Sequence, residues 1–399
     1  MITLDMIKEA KKVIGEAGAV YTPIVSASKV AENAYIKCEN LQKTGSFKLR
    51  GACYKISKLT EAEKAAGVIA CSAGNHAQGV ALSATKMGVK SVICMPESAP
   101  LAKVEATRGY GAEVVLVPGV YDDAFAKAVE LQKEKGYTFA HPYNDDYVMA
   151  GQGTIGLEIL EQMPEVDCVI IPMGGGGIAA GISFAIKSIK PECTVIGVQA
   201  EEAPAMVNSI KHGKLETSLT CNTIADGCAV KAPGDKTFEI CKKYLDDVVT
   251  VSEKEIAIAM LTLLERHKVV SEGAGAMPSA AIMSGKVDAT KYKNIVCMVS
   301  GGNVDTGVLT KILNRALVYS GRITEISTTL VDKPGNLSKL LDLVSSQGAN
   351  VLEINHLRET EDVAVAIGSC IVKLVVETRD AEHKAEVYKA LAANGYKQI

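Results

Sequence analysis

Between about residues 60 and 320, short apolar runs rich in β-branched residues alternate with longer stretches of helical period. That alternation restricts the chain to an α/β fold of parallel strands with crossover helices. Six runs read as strands: Val68 to Ser72, Ser91 to Met95, Glu113 to Val117, Cys168 to Pro172, Thr194 to Gln199 and Ile295 to Ser300. In one of the intervening segments, Thr60-Glu61-Ala62-Glu63 sets a threonine three residues ahead of a glutamate, the spacing of a capping box. Three of the strand runs lead straight into glycine- and amide-rich turns: Ser72-Ala73-Gly74-Asn75-His76, Gly174-Gly175-Gly176-Gly177 and Ser300-Gly301-Gly302-Asn303. Ligands of open α/β sheets settle at the carboxyl ends of strands, so these three turns are where a site is expected.

The 35 glycines exceed an average share of about 7%, and their clustering in those turns suggests backbone approach to a ligand. A net charge of -3 with 22% charged residues gives no strong field for nucleic acid or a membrane surface. No stretch reaches the roughly 18 apolar residues of a membrane span. The start, Met1 to Glu9, opens an amphipathic helix without a signal-peptide run, so a cytoplasmic protein is expected. Eleven cysteines lie singly on apolar stretches, Cys71, Cys94, Cys168, Cys297 and Cys370 among them, without C-x-x-C or Cys/His metal spacing. They read as reduced core thiols, and no metal is assigned.

Beyond about residue 320 the pattern changes. Glu325 to Val331 alternates as a strand, Asp332-Lys333-Pro334-Gly335-Asn336 turns, and Leu337, Leu340, Leu341 and Val344 repeat at helical spacing up to Gly348. Strand-like runs at Asn350 to Arg358 and Val363 to Val376 follow, then a helix from about Asp380 to Asn394-Gly395. This β-α-β-β-α order predicts a ferredoxin-like unit with at most a stub of a last strand. The boundary is placed near Gly321, giving domains of 1–320 and 325–399, with a small subdomain at roughly 50–148 inside the first.

The tetraglycine carries the clearest physical meaning. A strand ending at Pro172-Met173, four glycines and then Ile178-Ala179-Ala180-Gly181 opening a helix aim unhindered N–H groups and a helix dipole at one point suited to a phosphate, although a plain tight turn has the same look. It is neither a P-loop nor a dinucleotide fingerprint. Lys48, set among Gly45, Ser46, Phe47, Leu49, Gly51 and Ala52, has neighbours that depress an amine's pKa and favour a Schiff base, whereas most lysines are solvated surface groups. A phosphate cradle with a partly desolvated lysine points to pyridoxal phosphate.

Together, Ser46-Phe47-Lys48-Leu49-Arg50-Gly51-Ala52, Ser72 to Gly79, the tetraglycine and Ser300 to Asn303 resemble the threonine dehydratase branch of the fold type II pyridoxal-phosphate enzymes, over residues 1 to 320. The resemblance implies two parallel-sheet subdomains with the cofactor between them. It makes Lys48 the residue joined to the cofactor and the acid and base of catalysis, with Phe47 beside the ring. Asn75 would meet the ring hydroxyl, Gly174, Gly175, Gly176 and Gly177 the phosphate, and Ser300 the pyridine nitrogen. Ser72, Ala73 and the N–H groups of Gly74, Asn75 and His76 would surround the substrate carboxylate. The implied reaction is β-elimination from L-threonine to 2-oxobutanoate and ammonia, with L-serine as a further substrate.

Two positions carry mechanistic weight within the resemblance. A hydroxyl at Ser300 leaves the pyridine nitrogen largely neutral and the electron sink shallow, which favours prompt loss of a β-leaving group. At Ala73 the related serine racemases carry a serine as second base, and a methyl group accepts no proton. Ile224-Ala225-Asp226-Gly227 matches a segment near which relatives bind a cation. Asn222 stands where an acid accompanies the divalent site, so only a monovalent ion held by carbonyls stays open. Glu272 falls at a family position near the cofactor, with helix capping as the other reading. Residues 325 to 399 resemble an ACT domain, which implies self-pairing into a dimer or tetramer and an effector bound by the Pro334-Gly335-Asn336 turn. Isoleucine, valine or a nucleotide fits that role, in amino-acid metabolism that includes isoleucine synthesis. Serine racemase or dehydratase on the same scaffold, and an amino-acid-sensing regulator with an inert catalytic part, are the competing readings.

Overall fold

Thr3 caps the first helix, α1 (Leu4–Glu16), its hydroxyl accepting from the Met6 N–H. The computed structural model describes residues 1–358 and 366–399. After α1 come β1 (Ile24–Ser26), β2 (Ala34–Cys38), α2 (Lys48–Ser57) and α3 (Glu61–Ala66). Next are β3 (Val68–Cys71), α4 (Asn75–Lys86), β4 (Ser91–Pro96), α5 (Leu101–Gly109), β5 (Glu113–Val117), α6 (Tyr121–Lys135), β6 (Thr138–Phe139) and α7 (Asp146–Gln162). The chain continues through β7 (Cys168–Pro172), α8 (Gly177–Ile189), β8 (Thr194–Ala200), α9 (Ala205–His212), α10 (Asp235–Tyr244), β9 (Asp247–Val251), α11 (Glu253–Thr262), α12 (Gly273–Met283), β10 (Ile295–Val299) and α13 (Thr306–Tyr319). It ends with β11 (Ile323–Val331), α14 (Asn336–Ser346), β12 (Asn350–Leu357), β13 (Ser369–Glu377) and α15 (Ala381–Ala393).

All six expected strands form, with ends shifted by a residue at most, and the Thr60–Glu63 capping box is present. They belong to two sheets. One has the order β1-β2-β10-β7-β8-β9, parallel except for β1, and the other is the all-parallel β5-β4-β3-β6. Strands β3, β4, β7 and β10 are buried along their whole length, which is why they read as unbroken apolar runs. Strand β2 is less visible in the sequence because Lys37 interrupts it.

That lysine is buried, and its Nζ lies 2.6 Å from Glu158, on α7. Glu158 also meets Arg50 of α2, 2.6 Å away, and Arg50 in turn meets Glu39 at 2.7 Å. Four buried charges thus tie β2 and the residue after it to α2 and α7. Replacing water around each costs several kcal/mol, which their mutual pairing offsets together with hydrogen bonds such as Lys37 Nζ to the Thr22 carbonyl at 2.6 Å and Arg50 to the Thr154 hydroxyl at 3.2 Å.

Two compact units divide the chain, Met1–Asp305 and Thr306–Ile399. The division lies ahead of Gly321 because α13 groups with the C-terminal unit. In that unit the order after α13 is β-α-β-β-α, with an antiparallel sheet β11-β13-β12. Strand β11 alternates buried and exposed residues as its sequence does, and a single bridge between Thr328 and Gln398 is the expected stub. The run expected from Val363 begins in 359–365, outside the described residues; the observed strand starts at Ser369, after Gly368 turns with φ +87°. No described helix is long and apolar enough to cross a membrane.

Candidate active site

Lys48 is the first residue of α2, and the loop before it is laced to the turn after β10. Phe47 donates its N–H to the Ser300 carbonyl at 3.0 Å, Gly302 donates to the Gly45 carbonyl at 2.9 Å, and Ser46 bridges Gly301. Gly45 has φ +70°, and a Cβ there would fall 2.2 Å from Asn303 Oδ1, so only glycine lets the loop close on this turn. The Lys48 side chain enters a cavity of about 710 Å³, where Nζ donates to the Pro142 carbonyl at 2.8 Å. Burial pulls its pKa down to about 8, against the smaller upward pull of Cys228 and Glu272. Burial thus makes this amine easier to deprotonate than an ordinary lysine.

Two helix N-termini open into the same cavity. In the first, Gly174 to Gly177 wrap from β7 into α8, with Gly176 at φ +95° as the N-cap. The Gly175 carbonyl is taken by the Thr237 hydroxyl at 2.6 Å and the Gly176 carbonyl by the Ala180 N–H at 2.8 Å, while the first N–H groups of α8 have no intrahelical acceptor. A Cβ at Gly174 would come within 2.9 Å of the Cys228 Cα, at Gly175 within 2.5 Å of the Tyr143 ring, and at Gly177 within 2.8 Å of Tyr143 Cβ. A ligand in this cradle meets bare backbone. In the second, Ser72 to His76 lead from β3 into α4, with the Ser72 hydroxyl accepting from the Gly74 N–H at 3.2 Å. Each terminus offers free N–H donors and the positive end of a dipole, so the cavity is built for two anionic groups.

Phe47, Lys48, Ser72, Ala73, Gly74, Asn75, His76, Gly174, Gly175, Gly176, Gly177 and Ser300, named from the sequence, all line this cavity. The His76 ring turns inward: it donates Nε2–H to the Ala140 carbonyl at 2.8 Å, and burial, helped by Lys48, holds its pKa down at about 3. Its contribution to the cavity is therefore its N–H.

Three groups gain partners that the sequence does not show, although Glu272 and Asn303 already stand near the site in it. Glu272 occupies the N-cap position of α12, but its side chain does not cap; both carboxylate oxygens receive the Asn75 amide, at 2.9 and 3.0 Å. Burial, then the Asp226 charge, raises Glu272 to about 7. Asn303 donates 2.8 Å to Asn75 Oδ1 and 2.6 Å to the Thr44 carbonyl, which completes the brace around Asn75. Its place in the Ser300 to Asn303 turn was the available signal. At the cavity wall Lys103 pairs with Asp226 at 3.0 Å, a contact between segments too distant in sequence to pair by spacing.

Residues 16–301 match the family of pyridoxal-phosphate dependent enzymes. The chain belongs to that family. Its cofactor is pyridoxal phosphate, and the cavity fits one: a lysine amine of lowered pKa, a side-chain-free anion cradle and the Phe47 ring, 5.3 Å from Lys48 Nζ, stand in one wall system. This pyridoxal-phosphate enzyme is 48% identical to an L-threonine ammonia-lyase of Thermotoga maritima over 99% of the chain and 98% of the relative. It is also 48% identical to a catabolic L-threonine dehydratase of Staphylococcus aureus, over 80% of the chain and 96% of that relative. Among solved structures, the processed threonine deaminase isoform 2 of Solanum lycopersicum superposes with a TM-score of 0.73 at 35% identity, covering 78% of this chain and 94% of that one. Maize serine racemase superposes at 0.74 and 35%, covering 80% and 98%.

Proposed function

We propose that this enzyme eliminates water from L-threonine and releases 2-oxobutanoate and ammonia, with L-serine as a second substrate. The observation that carries the reading is the Lys48 amine, its charge weakened by burial, in one cavity with two helix N-termini. Relatives named for threonine dehydration, at 48% identity, support the choice of substrate.

Lys48 and the N–H groups of the tetraglycine would hold the two ends of the cofactor, Asn75 and Ser300 would hold its ring hydroxyl and nitrogen, and Phe47 would lie beside the ring. Pyridoxal phosphate, when bound, supplies the electron sink for the pair left at the substrate's Cα. Ser72 and the N–H groups at the start of α4 grip the substrate carboxylate, which presents Cα to Lys48. The Lys48 amine takes the α-proton and returns a proton to the β-hydroxyl, which departs as water; the enamine released tautomerises to the imine, and water hydrolyses that to the oxo acid and ammonia. Ala73 offers only a methyl group, so proton traffic is confined to Lys48 and elimination is favoured over racemisation.

The C-terminal unit is assigned as an ACT regulatory domain that pairs with a second copy in a dimer or tetramer and binds isoleucine, valine or a nucleotide. Its β-α-β-β-α order supports this, as does the turn in which Gly335, at φ +87°, caps α14.

The test is the visible absorption of the purified protein together with 2-oxo acid release from threonine and serine. A yellow protein active on threonine is expected, with Lys48→Ala at least about a thousandfold slower. Full activity in that variant would sink the mechanism, and a serine-only or racemising enzyme would overturn the substrate assignment.

A further inference from the structure

At one end of the C-terminal sheet, a carboxylate oxygen of Asp332, a ring nitrogen of His356 and the Cys370 sulfur all lie within 4.8 Å of one another. Strand alternation gives them a common side. Cys370 stands opposite Leu330 across the β11–β13 pair and His356 opposite Val372 across β12–β13. Asp332 lies two residues past Leu330, and Val372 two past Cys370, so a period of two turns all three the same way. That face carries the apolar cluster containing Leu330, Val372 and Leu374. At its end Cys370 is buried, His356 half-buried and Asp332 exposed.

An oxygen, a nitrogen and a sulfur donor converging from three strands make three corners of a tetrahedron. Bonds of about 2.0–2.3 Å set donors roughly 3.4–3.8 Å apart in such a shell. His356 Nε2 and Asp332 Oδ1 are already 3.9 Å apart, and side-chain rotations of about an ångström bring in the rest.

We propose that Asp332, His356 and Cys370 bind one borderline-soft divalent transition-metal ion, zinc being the type, with a fourth position open to water or a small ligand. The donor set selects the class: a thiolate and an imidazole disfavour magnesium and calcium. Ligation uses the thiolate, so Cys370 gives up one proton to solvent for each ion bound. Arg358, whose Nε holds Asp332 Oδ2 at 2.7 Å, is an internal competitor that must release the carboxylate. None of the three residues lines the cofactor cavity. Cys/His spacing along the chain does not reveal it, because each ligand comes from a different strand or strand end.

Cobalt(II) titrated into the full-length, cofactor-loaded protein tests the site, since a cobalt–thiolate bond gives a charge-transfer band and tetrahedral cobalt gives ligand-field bands in the red. One equivalent per chain is expected, displaced by zinc. Cys370→Ser should abolish the charge-transfer band, His356→Ala should weaken binding roughly ten- to a hundredfold, and Arg358→Ala should tighten it. Cys221→Ser, at the partly exposed thiol that lines the cofactor cavity of the other unit, should leave the cobalt charge-transfer band unchanged. Absence of the band in the wild type, its survival in Cys370→Ser or its loss in Cys221→Ser overturns the proposal. If Cys370→Ser loosens the unit, the two exchanges at accessible positions still decide, because unchanged cobalt affinity in both also overturns it.

Discussion

Glu272 shows how a single side chain sets the polarity of a site. A buried carboxylate is costly unless hydrogen-bonded, and here the Asn75 amide is its donor. The same bond turns Asn75 so that Oδ1 is met by Asn303. Gly301 makes room for it, since a Cβ there would stand 2.6 Å from Glu272 Oε1. Truncation to Glu272→Ala leaves the Asn75 amide without its acceptor at a cost of about 1–3 kcal/mol, which should appear as a roughly five- to 150-fold weaker cofactor. Glu272→Gln, which keeps an acceptor, should stay within a fewfold of wild type. Cofactor release followed by loss of the visible band measures both, and equal losses in the two variants would show that orienting Asn75 is not its role. Residue types that touch backbone or cofactor were legible in the sequence, because turns such as Ser72 to His76 carry them in one short segment. Glu272 and Asn75 are far apart in the chain, and no periodicity links them.

The helix α2 that begins at Lys48 is held by charge as well as by apolar packing. Its Arg50 reaches Glu39, just past β2, and Glu158 on α7, all three buried. Burial pushes Glu39 upward, but Arg50, with Thr22 and Lys37 adding to it, more than offsets that and leaves the carboxyl below its ordinary 4.5. A depressed carboxyl stabilises the fold above the unfolded value of about 4.5, and that stability is lost as pH falls through the folded value. Removing the guanidinium in Arg50→Met strands Glu39 in a dry site, so a loss of about 3–5 kcal/mol is expected in denaturant unfolding at pH 7. The deficit should shrink towards pH 4, as Glu39 takes a proton in the variant and stops opposing burial. A deficit that grows on acidification would show that Glu39 is not the stranded charge. This cluster also explains which strands were legible. Apolar runs such as β7 and β10 announce themselves, whereas β2 carries Lys37 next to its last residue, and only distant partners, Glu158 on α7 and the Thr22 carbonyl, make a lysine tolerable there.

At the level of the whole chain, the family match at residues 16–301 lies within the unit Met1–Asp305, which also contains every described residue lining the cofactor cavity. The Staphylococcus aureus relative aligns over 96% of its own length with only 80% of this chain, whereas the Thermotoga maritima relative matches nearly all of it. Chemistry and the proposed regulation thus have separate addresses along the sequence. If the C-terminal unit carries the effector site, it acts on Lys48 only through contacts that differ between two states, a coupling of about 1–3 kcal/mol or roughly 5- to 150-fold in affinity. A chain ending at Asp305 should therefore still turn over threonine but lose its response to isoleucine, valine or nucleotide, read as initial rates across a range of effector concentrations in both chains. A response that survives the truncation would place the effector site in the first unit. An inactive but folded and yellow truncation would instead make the C-terminal unit a structural requirement for turnover.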